Sequence, residues 1–149
     1  MEMRIEDLEE QLALKREKYD ELHKSLMERY EALSDRRDAL AGRWKSNSPH
    51  SNELDTRCRE LLDPVRSAIF DFAKIEEDRM KRIVPLARAM AMVRKSNAKK
   101  KLPLLGDLLE SIQWDLDVGL FLRIQILERY ELAVGNLGAF FDKEFPTVN

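Results

Sequence analysis

From Ile5 to Leu40 every seventh residue is large and apolar: Ile5, Leu12, Tyr19, Leu26, Leu33 and Leu40. A seven-residue repeat draws one unbroken seam along a helix, the a position of a coiled coil. It commits residues 3–45 to a single long helix, in which the first glycine is Gly42 and no proline precedes Pro49. The d positions are Leu8, Lys15, Leu22, Arg29, Arg36 and Arg43, so the second seam begins apolar and turns basic. A two-stranded coil built on this pattern is strongest in its N-terminal half. Tyr30 and Trp44 at e positions widen the stripe, as in helices that pack into multi-helix bundles.

The Ser-Asn-Ser-Pro-His-Ser-Asn run at 46–52 reads as a loop. Asn52 is placed to cap the helix that follows, with Asp55 in its first turn. Residues 53–95 form the second helix, with its stripe running from Leu54 and Cys58 through Phe72 to Val93. Pro64 and Pro85 fall inside it, and each is expected to kink it. The polar stretch 96–101 ends that helix, and Pro103 suits the first turn of a third. Residues 103–144 are the most apolar segment, with apolar side chains on and off one stripe, as for a helix buried on more than one side. Gly119 in its middle is read as a point of close helix approach. The expected fold is all-α: one domain over 1–149, three long helices in an antiparallel bundle or coiled coil, with helix 2 kinked at Pro64 and Pro85.

Composition excludes several alternatives. Five glycines and five prolines do not make a collagen or a flexible linker, and the single cysteine, Cys58, cannot staple a disulfide scaffold. A lone cysteine, a charge-dense N-terminus without an apolar core and no apolar run long enough to span a bilayer give the expectation of a cytoplasmic or nuclear protein without signal peptide or transmembrane segment.

The net charge of −2 conceals a segregated distribution. Between residues 79 and 101 there are nine cations and no carboxylate: Arg79, Lys81, Arg82, Arg88, Arg94, Lys95, Lys99, Lys100 and Lys101. Such a block reads either as a solvated helix end, with Lys99–Lys101 complementing the dipole at a C-terminus, or as a contact for something acidic. The candidate acidic partners are membrane headgroups, nucleic acid and an acidic protein surface such as a microtubule. The absence of aromatic residues over 79–101 argues against single-stranded nucleic acid.

No catalytic, cofactor or metal signature stands out. Asp20-Glu21-Leu22-His23 has the carboxylate-x-x-His spacing of a di-iron bundle, but a bundle site needs a second such element, and the only other histidine, His50, falls in a loop expected to face solvent. Cys58 has no metal-ligand spacing around it and reads as a small core residue. Phosphate-binding glycine motifs are absent.

The expected function is therefore a non-enzymatic coiled-coil scaffold or assembly subunit without cofactor or small-molecule substrate. Its self-association seam is Ile5, Leu8, Leu12, Tyr19, Leu22, Leu26, Leu33 and Leu40, shared with a second copy as a homodimer or with other helical proteins. The alternative is a peripheral binder of an acidic surface through 79–101. In architecture the long proline-bent helices beside a basic segment resemble BAR-type dimers, and the three-helix layout resembles spectrin-type bundles.

Overall fold

The structure, a computed structural model, describes residues 4–146. Helix α1 spans Ile5–Ser46, α2 Asn52–Lys95 and α3 Ala98–Trp114; a π-helical turn, Asp115–Gly119, leads without a break into α4, Leu120–Glu144. The chain is thus three long helical rods in a bundle, the third being α3, the π turn and α4 in series. No strand occurs among the described residues.

Two helix starts differ from the sequence expectation. The cap of α2 is Ser51, whose Oγ accepts from the Leu54 N–H at 3.2 Å, while Asn52 already lies in the helix. The third rod starts at Ala98, five residues ahead of Pro103, because Asn97 accepts from the Lys100 N–H and nucleates the turn. Pro103 is therefore interior to α3. Pro64 and Pro85 likewise lie inside the continuous α2; each lacks the N–H that would reach the carbonyl four residues back, at Glu60 and Lys81.

Two compact units divide the chain. The first takes the described part of residues 1–25 with Lys74–Arg123. Its core is Leu12 and Tyr19 of α1, Val93 of α2, and Leu105, Leu108 and Ile112 of α3. Ile83, Leu86, Met90 and Leu116 pack around them. The second unit takes Leu26–Ala73 and the chain from Ile124 onward. Its buried residues include Leu26, Leu33 and Leu40 of α1, Cys58, Val65, Ala68 and Phe72 of α2, and Leu127, Tyr130, Val134, Leu137 and Phe141 of α4.

Aromatic stacking knits the second unit. Tyr30 lies on Phe72 with ring centroids 4.1 Å apart, and Trp44 stacks on His50 and Phe141. His50 is correspondingly half-buried rather than solvent-facing, with Nε2 2.8 Å from the Trp44 carbonyl. The basic d seam also has a use here. Arg29 pairs with Glu131 at 2.8 Å. Arg43 pairs with Asp142 and donates to the Phe141 and Phe145 carbonyls, where the negative end of the α4 dipole favours a cation. Burial pushes the Cys58 thiol up, as expected for a core cysteine.

The third rod is not buried on more than one side. Phe121, Leu122, Ile124 and Leu132 are exposed, while Leu120, Arg123 and Leu127 are buried. The buried stripe runs through Leu120, Arg123, Leu127 and Tyr130 at the three- and four-residue steps of an α-helix, which leaves Phe121, Leu122, Ile124 and Leu132 at the surface. The π turn before it widens one ring of the ladder. Gly119 serves that turn rather than a helix crossing: a Cβ there would sit 3.1 Å from Asp115 Oδ1.

Candidate functional site

The basic segment is the end of α2, a two-residue turn and the start of α3, all within the first unit. From Arg79 to Gly106 the chain carries no carboxylate. Ser96 Oγ donates to the Met92 carbonyl at 2.7 Å, Asn97 caps α3, and the direction reverses between them. This corrects the dipole reading of the lysines. Arg94 and Lys95 occupy the last turn of α2, where cations are favoured, but Lys99, Lys100 and Lys101 occupy the first turns of α3, which hold no acidic residue. A cation there opposes the helix dipole, at a cost of up to about 1 kcal/mol each.

The nine cations fall into two groups. Four are engaged within the chain. Arg79 bonds Glu76 at 3.0 Å and lies 3.4 Å from the Tyr19 hydroxyl. Arg82 bonds the buried Asp115 at 2.9 Å, with its guanidinium over the Trp114 ring at 4.5 Å. Lys81 pairs with Glu77, and Lys101 with Glu9. The other five, Arg88, Arg94, Lys95, Lys99 and Lys100, are exposed and have no ion pair among the described residues. Arg94 and Lys101 line a groove of about 670 Å³ whose far wall is Glu9, Glu17, Asp20 and Glu21 of α1, which compensates part of the field on that side. Exposed apolar side chains stand among the free cations: Val84, Met92 and Leu102.

The α1 seam is placed differently. Leu12, Tyr19, Leu26, Leu33 and Leu40 are each only 6–7 % exposed within a single chain. Ile5 and Leu8 are half-buried against the first unit's core, and Leu22 alone is exposed. The seam is therefore covered by the chain's own helices.

No protein family, curated protein or solved structure matches this chain.

The sequence reading passed over a buried polar network in the first unit. Arg123 is 2 % exposed, and its Nη2 lies 2.7 Å from Glu76 Oε1 and 2.7 Å from His23 Nδ1. Glu76 holds Arg79 through its other oxygen, Arg79 reaches Tyr19, and Tyr19 stacks on His23. Since Arg123 can only donate, His23 Nδ1 must accept, which fixes a neutral imidazole with its proton on Nε2. That lone pair is the one the carboxylate-x-x-His reading would give to a metal. No group of three or more potential metal ligands occurs among the described residues. Glu76 and Arg79, three apart in α2, were a visible pair; Arg123 was obscured by the apolar run around it.

Burial first, then the charges of Arg79 and Arg123, hold the His23 pKa below its ordinary value, against the opposing pull of Glu76 and Asp20. The unfolded imidazole takes up its proton near pH ~6.5, before the folded one does. Stability linked to His23 is therefore complete above that pH and is lost as pH falls through it toward the folded pKa. Urea midpoints measured between pH 7.5 and 5.5, above the main carboxylate range, should fall with pH. In His23→Gln, which keeps an acceptor for Arg123 without a titrating group, that slope should flatten.

Proposed function

We propose that this protein is a non-enzymatic helical interaction module that docks peripherally on an acidic surface through the α2–α3 hairpin. The observation behind this reading is the set of five exposed, unpaired cations, Arg88, Arg94, Lys95, Lys99 and Lys100, in a stretch with no carboxylate. Two of them stand against the α3 dipole, a local cost that contact with a negative partner offsets. Clustered cations draw such a partner by long-range attraction, at about 1 kcal/mol per side chain near an anionic bilayer. Exposed Val84, Met92 and Leu102 among the charges suit a headgroup layer, which takes up apolar side chains beside cations. Anionic lipid is thus the surface the hairpin fits first, ahead of a microtubule.

Backbone hydrogen exchange with and without anionic vesicles tests the location. Added vesicles should slow exchange over 84–104 and leave the second unit unchanged. Slowing confined to α1, or equal slowing with polymerised tubulin alone, would move the contact elsewhere or to another partner. The exposed hairpin, not the buried α1 seam, is the contact this reading assigns to outside partners.

A further inference from the structure

The basic segment 79–101 holds one hydroxyl side chain, Ser96. It follows the last residue of α2 and precedes Asn97, the cap of α3. Four of the five free cations flank it: Arg94 and Lys95 directly before, Lys99 and Lys100 three and four residues after. The Ser96 Oγ donates to the Met92 carbonyl at 2.7 Å, a bond at the surface of the turn. The backbone leaves the helical conformation here, with Asn97 extended at φ −74° and ψ 167°. Helix ends open at little cost, so the hydroxyl can be presented without unfolding the unit.

We propose that Ser96 is a phosphoacceptor, and that a phosphate there releases the hairpin from its acidic surface. The release rests on the docking reading above, since the same cations are involved. The modifying enzyme is a serine kinase with an acidic substrate cleft, for which cations on both sides of the hydroxyl and no carboxylate from Arg79 to Gly106 are the matching charge pattern. Ser96 Oγ attacks the terminal phosphorus of a nucleoside triphosphate. The Oγ–P bond forms as the bridging P–O bond breaks, the nucleoside diphosphate leaves, and the hydroxyl proton passes to a carboxylate of the kinase. The product carries about two negative charges where there were none. Its oxygens are strong acceptors for the neighbouring Arg94 and Lys95. The five free positive charges of the hairpin thus fall to a net of about three, and a polybasic contact weakens accordingly.

The intact chain, incubated with magnesium ATP and the catalytic domain of a serine kinase selective for basic flanks, tests this. Peptide mass spectrometry should locate the label on Ser96 and find none there in Ser96→Ala. The phosphorylated chain should bind anionic vesicles about thirtyfold more weakly than the unmodified chain. Phosphatase should reverse the loss, and Ser96→Ala should bind after the incubation as it did before. A folded chain that takes no label on Ser96 overturns the proposal. So does a phosphorylated chain that binds as tightly as the unmodified one; both results leave surface docking standing. An unmodified chain that fails to bind overturns surface docking itself, and the switch falls with it.

Discussion

Glutamine substitution of Arg88, Arg94, Lys95, Lys99 and Lys100 together should lower affinity for anionic vesicles by about three orders of magnitude. Each cation near the surface contributes roughly 1 kcal/mol. Five together give up to about 5 kcal/mol, and 1.4 kcal/mol is roughly a factor of ten, so the loss amounts to about three orders of magnitude or more. The fold should not suffer. All five side chains are exposed and none forms an ion pair among the described residues. Removing Lys99 and Lys100 from the start of α3 should raise the thermal midpoint slightly, since both oppose the dipole. A variant that gains stability while losing the surface separates a functional charge from a structural one. Equal affinity in the variant would show that the block is only a solvated helix end.

Arg123→Leu should destabilise the first unit by about 3 kcal/mol. Removing one member of a buried ion pair leaves the other partly uncompensated. Glu76 would keep Arg79, which limits the loss, but His23 would lose its donor in the same step. The measurement is the urea midpoint, with an unchanged slope showing that the unfolded state is not altered. Adding Glu76→Leu should recover part of the loss, because the stranded carboxylate is then removed, although Arg79 also loses its partner. A cost below about 1 kcal/mol would mean that water reaches the guanidinium and that the network is not a core element.

Much of the fold was legible because the α1 repeat and the loop at 46–52 are local signals. Leu12, Tyr19, Leu26, Leu33 and Leu40 are buried as a seam should be. What the repeat could not reveal was the partner: a heptad shows that a face is covered, not by which chain. The third rod was harder for a different reason. An apolar run this dense hides which of its residues lie on the buried stripe, and the helix puts Arg123 in the core and leaves Ile124 exposed. The apolar excess there was real, but part of it is surface, at Val118, Phe121 and Leu122. The basic block was plain in the sequence. Its division into four engaged and five free cations needed tertiary contacts, above all Arg82 with Asp115 and Lys101 with Glu9. The start of α3 turned on one asparagine: with Asn97 as cap, the lysines open a helix instead of closing one.

Co-sedimentation of the wild-type chain with vesicles of graded anionic-lipid content, each at low and high salt, tests surface docking most directly. Binding should be absent on neutral vesicles, rise steeply with anionic fraction, and collapse once salt shortens the screening length to a few ångströms. Binding to neutral vesicles, binding indifferent to salt, or no binding at the highest anionic content would contradict it.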